Sequence, residues 1–313
     1  MKEVLRIFFV TDIHGSNVCW RKFLNALSIY KVDVGIALGD LTGKMLIPLI
    51  KVGPEQWETN FLGSDQKING EDELTKLKKT IEMVGYYWVE LSPEEFANYK
   101  KDQAAQDNLF RQLMLQRLKE WISLADERLK DAPYQVFMSA GNDDLLEVES
   151  VISQSKTIIN CGDRVVNMEN YEMATFSWTN PTPWQTPREK EDEELEPMLE
   201  DLLSSVHDFK RAIFNFHAPP YGSSLDLAPQ LSKDLVQAVE KKVHVGSKAV
   251  LKMIQKYQPM LGLHGHIHES RGMQRIGHTL LLNPGSEYSE GILRGAVIRL
   301  QGGRIKDCVF TSG

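Results

Sequence analysis

His264, His266 and His268 alternate in "LHGHIHES", three of the chain's eight histidines within five residues. Imidazole is a ligand for zinc, iron, nickel and copper, so several rings converging on one point indicate a metal site. In an extended segment residues two apart point to one side, and the alternation predicts that these rings share a face. Two or three ligands do not complete a site. The others come from apolar runs that end in oxygen or nitrogen donors: Asp12 and His14 in "TDIHG", Asp40 in "LGDLTG", Asn142 in "SAGNDD", His217 in "FHAPP", and His266 with His268 in "GHIH". Seven donors at five separated places are about what two divalent ions need if they share a carboxylate and leave a position for water or substrate. Manganese, iron and zinc all suit such mixed oxygen and imidazole ligation.

The elements that must bring these donors together are visible in the runs before them. Residues 4–10 are apolar apart from Arg6, and after the turn "TDIHGSN" residues 18–29 carry Trp20, Phe23, Leu24 and Leu27 at helical spacing. "VDVGIALGD", "YQVFMSAGNDD", "RAIFNFHAPP" and "PMLGLHGHIH" read as further buried strands whose carboxyl ends carry the chemistry. Between the second and third strands, residues 44–133 read as a helical insertion. Residues 74–84 have helical spacing, and Ser92 with Pro93 starts a helix that runs to about Lys130 without another proline or glycine. The insertion serves either as packing or as a cap that shapes substrate access. Residues 180–200 turn proline-rich and then acidic, which reads as a loop leading into a solvated helix face. Trp178 and Trp184 either anchor that loop or stack on a substrate. Ser247 reads as a helix N-cap, and His207, His244 and His278 as surface or core residues.

Composition bounds the function. The chain has 313 residues, enough for one large domain with an insertion, and its 42% hydrophobic and 25% charged residues are those of an ordinary globular protein. No apolar run approaches the length that spans a bilayer, so no membrane partner is expected. Cys19, Cys161 and Cys308 are far apart and form no C-x-x-C pair, so neither a disulfide framework nor a thiolate metal site is indicated and a reducing cytoplasm fits best. A net charge of −7 argues against a large nucleic-acid footprint.

The ordered blocks D-x-H, G-D, G-N followed by acids, a lone histidine and G-H-x-H resemble the signature of the calcineurin-like metallophosphoesterases. The resemblance covers most of the chain outside the insertion. It implies an α/β fold of two mixed β-sheets packed face to face and flanked by helices, in a single domain over residues 1–313. It also implies one metal held by Asp12, His14 and His268, another by Asn142, His217 and His266, and Asp40 bridging them. His264 matches no ligand of the family and is expected to support the site from behind. The implied activity is hydrolysis of a small phosphoester by in-line attack of a hydroxide bridging two divalent ions. Asn142, Asp143 and Asp40 are the expected catalytic residues.

One position departs from the family's pattern: Asp143 stands where G-N-H has its histidine. An ionised Asp143 would lower the positive charge of the centre and disfavour dianionic monoesters, so a phosphodiesterase is the expected activity. Asp144 is then expected to cap the next helix. The alternatives are a phosphomonoesterase or nuclease of the same family, and a metal-binding scaffold without catalysis.

Overall fold

A computed structural model describes residues 4–231 and 237–313. In chain order it contains β1 (Val4–Thr11), α1 (Asn17–Ile29), β2 (Val34–Leu38), β3 (Leu46–Gly53), β4 (Gln56–Phe61), β5 (Ser64–Asn69), α2 (Glu71–Met83), β6 (Tyr87–Leu91), α3 (Pro93–Tyr99) and α4 (Gln103–Leu129). There follow β7 (Gln135–Ser139), α5 (Val148–Ile152), β8 (Ile158–Asn160), β9 (Val165–Met168), β10 (Tyr171–Phe176), α6 (Asp192–Leu203) and β11 (Ala212–Phe216). The chain closes with β12 (Leu227–Leu231), β13 (Gln237–His244), α7 (Lys248–Tyr257), β14 (Leu261–Leu263), β15 (Gly272–Ile276), β16 (Thr279–Asn283), β17 (Arg294–Gln301) and β18 (Arg304–Ser312).

Two six-stranded sheets, ordered β18-β17-β1-β2-β7-β8 and β15-β16-β14-β11-β10-β9, form the centre. Both are mixed: β1, β2, β7 and β8 run parallel, with β17 antiparallel to β1, and β10, β11, β14 and β16 run parallel between antiparallel edges. Alternation explains why the central strands are mainly apolar on both sides, since each face meets a different layer. From the first sheet, Ile7, Phe9, Ile36, Leu38 and Phe137 pack against Met173, Ile213, Leu261, Leu263 and Leu282 of the second. The opposite faces are covered by helices. Phe8, Val10, Ala37 and Met138 meet Trp20, Phe23 and Leu27 of α1 and Trp121 of α4, while Phe176, Phe214 and Phe216 meet Leu195 and Leu199 of α6 and Met253 of α7. The expected sandwich of two sheets between helices is thus present. Among the described residues no helix is long and apolar enough to cross a membrane.

Residues 44–133 correct the helical expectation. Its first half, residues 46–91, holds a four-stranded sheet ordered β5-β4-β3-β6, with the expected helix α2 packed on it, and its second half is helical. β4 shows the strand period plainly, because Trp57, Thr59 and Phe61 are buried in alternation. The Ser92 start holds, with Ser92 and Glu95 forming a reciprocal capping box. The long helix is interrupted after Tyr99, and Asp102 caps the restart by accepting from the Ala105 N–H.

This segment is tied to the loops that follow β1 and β2. The buried Arg117 guanidinium of α4 donates to the Gly15 and Tyr86 carbonyls at 3.1 and 2.7 Å, and the Tyr87 hydroxyl accepts from the Gly43 N–H at 2.8 Å. Three glycines meet there. A Cβ on Gly43 would lie 1.8 Å from the Gly85 carbonyl oxygen, and one on Gly85 would lie 1.9 Å from that of His14. Only glycine permits backbones to approach so closely.

Candidate metal centre

Parallel pairing sets the carboxyl ends of β1, β2 and β7 side by side, and those of β11 and β14 likewise, so their loops collect at one end of the sandwich. The loops are stitched by backbone hydrogen bonds: Asp12 N–H to Gly39 O at 3.2 Å, His14 N–H to Asp40 O at 2.8 Å and Gly15 N–H to Leu41 O at 2.7 Å. The two sheets are linked directly at the site, where the His266 N–H donates to both Asp12 carboxylate oxygens at 3.0 and 3.1 Å. Asp12, His14, Asp40 and His266 all have positive φ, of 53°, 38°, 49° and 68°. Non-glycine residues there cost on the order of 1–2 kcal/mol each, and such strain clusters where function needs a side chain at a sharp turn.

Two groups of donor atoms result. Asp12, His14, Asp40 and His268 offer one ligand atom each within 4.8 Å of one another, and so do Asp40, His217 and His266. Asp40 belongs to both. Asn142 joins the second through its amide oxygen, 2.8 Å from His266 Nδ1, while its amide NH2 donates to Thr186 Oγ1 at 2.7 Å. All seven expected donors therefore come together.

The polar atoms left over fit ions at these places. Among the described residues His14 Nδ1 and His217 Nδ1 are buried without a hydrogen-bond partner, and His217 Nε2 faces the Asp40 carboxylate at 3.3 Å. The Nε2 atoms of His14 and His268 face each other at 3.0 Å, and two imidazole lone pairs at that distance call for a proton or a cation. Oxygen and imidazole donors without thiolates suit manganese, iron or zinc.

The charges in the metal-free protein point the same way. Burial would raise Asp12, but contact with His268 and the charge of His217 hold it at about 2. Burial would likewise raise Asp40, and His217 instead keeps it well below the usual carboxylate range. His217 is the counterpart: burial disfavours its charge, but Asp40, at 3.3 Å from Nε2, raises it to about 9. His266 is lowered to about 4 by burial and the nearby His217 charge, and burial with the Lys44 charge also lowers His14.

His264 does not share the face of its neighbours. β14 ends at Leu263, so the extended geometry expected for the three histidines stops before it reaches them. His264 turns inward, with Nδ1 at 2.9 and 3.0 Å from the Phe216 and Ala218 carbonyl oxygens, and so braces the residues on either side of His217. Burial lowers its pKa to about 4, consistent with a neutral ring.

Asp143, expected to lower the charge of the centre, is paired with a cation. Its Oδ2 lies 2.5 Å from Lys44 Nζ, and its N–H donates to Asp40 Oδ1 at 3.0 Å. Burial and the Asp40 charge push its pKa up to about 6, against the pull of Lys44. Asp144 caps no helix. It is buried and accepts from the N–H groups of Leu41, Thr42 and Gly141 at 2.9, 2.8 and 2.8 Å and from the Thr42 hydroxyl at 2.6 Å, locking the Asp40 loop to the Asn142 loop.

Several contributors carried no signal of their own. Lys44 and Tyr288 border the site, and the Tyr288 ring lies 4.6 Å from the His14 ring and 5.8 Å from that of His268. Arg188, buried in the proline-rich loop, donates to the Asp144 and Leu145 carbonyls and so clamps the Asn142 loop. Trp178 anchors that loop by donating to Asp163 Oδ2 at 3.1 Å, whereas Trp184 is 63% exposed. Ser247 caps α7 as expected, and His207 and His244 pair with Glu172 and Asp226 away from the centre.

Comparison with known proteins places the fold more firmly than the activity. No family model matches the chain. The uncharacterized protein MJ1162 of Methanocaldococcus jannaschii is 32% identical over 152 residues, which is 48% of this chain. The match spans 63% of that relative's length. Among solved structures, one crystal structure is similar with a TM-score of 0.58 at 12% identity, covering 98% of each chain. The protein TT1561 of Thermus thermophilus is similar with a TM-score of 0.52 at 14% identity, covering 99% of this chain and 98% of that one. At these identities the likeness is one of fold: the sandwich of sheets and helices is shared along nearly the whole chain.

Proposed function

We propose that the chain is a metal-dependent phosphoester hydrolase of the calcineurin-like metallophosphoesterase family, with two divalent ions in adjacent sites. The observation that carries this reading is that one carboxylate, Asp40, belongs to both donor groups. Asp12, His14 and His268 would hold one ion, Asn142, His217 and His266 the other, and Asp40 both. Bound there, the ions would supply positive charge for the phosphoryl oxygens and acidify a water for in-line attack.

The chain's own work is orientation. Thr11 Oγ1, at 2.7 Å, and the His266 N–H hold the Asp12 carboxylate, and the Asp143 N–H holds one Asp40 oxygen while the other faces His217. Thr186 fixes the Asn142 amide with its oxygen toward the second group. The preference for diesters loses its electrostatic basis, because the Lys44 ammonium cancels the Asp143 charge that was to repel a dianionic monoester. Phosphoester hydrolysis is retained, with both classes as substrates. The three cysteines are unpaired, which fits a reducing compartment such as the cytoplasm.

The test combines metal analysis with a panel of phosphodiesters and phosphomonoesters assayed with manganese, iron and zinc. Two ions per chain and hydrolysis of at least one class are expected, with Asp40→Asn lowering occupancy at both places. An Asp40→Asn protein that kept two tightly held ions and full activity would remove the shared carboxylate and the reading with it.

A further inference from the structure

Lys44 stands at the start of the segment that follows the Asp40 loop, and its side chain is 45% exposed while Asp143, its partner, is 17% exposed. An ordinary surface pair contributes little and holds neither side chain in place. This one differs in its anchoring, because Asp143 is itself fixed to the shared carboxylate through its N–H. An ammonium has three donors, and Asp143 at 2.5 Å takes one. The other two remain for a ligand. Burial works against the charge of Lys44, but Asp143 and Asp40 together hold its pKa well above the ordinary lysine value, so it is a fixed cation at any assay pH.

Across from it, Tyr288 is held by its ring against His14 and His268, a histidine pair of the first donor group. Its hydroxyl has no hydrogen-bond partner among the described residues, and Lys44, Asp143 and Asp40 lie close enough to act on it electrostatically. A cation and a phenol hydroxyl therefore border the same donor cluster with hydrogen-bonding capacity to spare.

We propose that Lys44 and Tyr288 form the oxygen-binding edge of the site, donating to a phosphoryl oxygen of the substrate and of the phosphate product. This rests on the phosphoesterase reading and assigns to two residues outside the metal ligands the recognition of the tetrahedral oxyanion. Asp143 then acts as a positioning residue for Lys44. Charge-assisted donors of this kind are the usual means of holding phosphate beyond what the ions themselves grip.

The experiment is calorimetric titration of inorganic phosphate into metal-loaded protein, with ion content measured on every variant. Lys44→Met is expected to weaken phosphate binding about ten- to a hundredfold, the usual loss for a charged hydrogen bond, and Tyr288→Phe about three- to tenfold. Lys44→Arg should bind within about threefold of wild type, since the charge and its donors persist. The double variant Lys44→Met/Asp143→Asn should remain weak. If it recovers wild-type affinity, Lys44 only neutralises Asp143 and the inference is overturned, as it is if Lys44→Met binds phosphate normally with its ions in place. Failure of the phosphoesterase reading would show separately, as wild-type protein that takes up no ions.

Discussion

Ion uptake at the second donor group should expel a proton, and the structure gives its source and size. His217 is fully buried beside Asp40 and is held at about 9, so in the metal-free protein it carries a proton at pH 7. An imidazole ligand must be neutral. Removing the proton two units below that pKa costs on the order of 3 kcal/mol, about a hundredfold in apparent affinity. His266 and His14 are already neutral at that pH, because both are shifted downward. Apparent affinity for the ion held by His217 should thus rise about tenfold per pH unit from 7 and level off near 9. The sign is fixed by linkage: a raised histidine pKa stabilises the metal-free fold fully below its unfolded value of 6.5, and this contribution is lost as pH rises through 9. Loading with metal should therefore favour the fold most where the metal-free protein is weakening. Isothermal titration with metal in buffers of different ionisation enthalpy, repeated between pH 6.5 and 9.5, counts the protons released. Close to one proton is expected at pH 7. An affinity that is flat over this range, with no buffer-dependent heat, would refute the assignment of His217 as a residue that must give up its proton to bind the ion.

Two further outcomes test the scaffold. Asp144→Ala strands three buried N–H groups, those of Leu41, Thr42 and Gly141, and should lower unfolding free energy by about 3–5 kcal/mol in chemical denaturation; a loss below about 1 kcal/mol would show that the loops hold without it. Gly85→Ala, at φ 83° and facing the His14 carbonyl, should cost at least about 3 kcal/mol or prevent folding, whereas Gly63→Ala, at φ 76° with nothing within 4 Å, should cost only the backbone strain of about 1–2 kcal/mol. Equal losses in thermal denaturation would mean that the glycine junction contributes nothing beyond φ.

The donors were legible because their physics is local. β1, β2, β7, β11 and β14 are buried on both faces over most of their length, so each reads as a mainly apolar run, interrupted by Arg6 in β1 and Asn215 in β11, and a polar donor soon after it marks the strand end. In the sheet of residues 46–91 the signal is uneven: β5, "SDQKIN", buries only Ile68, whereas β3, "LIPLIKVG", is apolar but carries Pro48, which weakens a strand reading. The break between α3 and α4 has neither glycine nor proline, and its sign is the capping carboxylate of Asp102. Lys44 and Asp143 are 99 positions apart, and Tyr288 is farther still along the chain. Their meeting depends on the way the two sheets and the added segment close around the strand ends, and no periodicity records that. His264 has the supporting role expected of it, and what is missing is the shared face of the three histidines. The alternation was real in the sequence, but the strand that would have given it meaning ends one residue too early.

The left-handed backbone at Asp12, His14, Asp40 and His266 sets stability against chemistry at four positions. Glycine would relax each of those turns, and random substitution judged only by how well the protein folds would favour it. Every such replacement would delete a donor. A lineage of this fold released from selection for its activity should therefore lose these side chains early, and to glycine in particular, while the apolar strands beneath them persist. All four are present in this chain, as the proposed metal site requires.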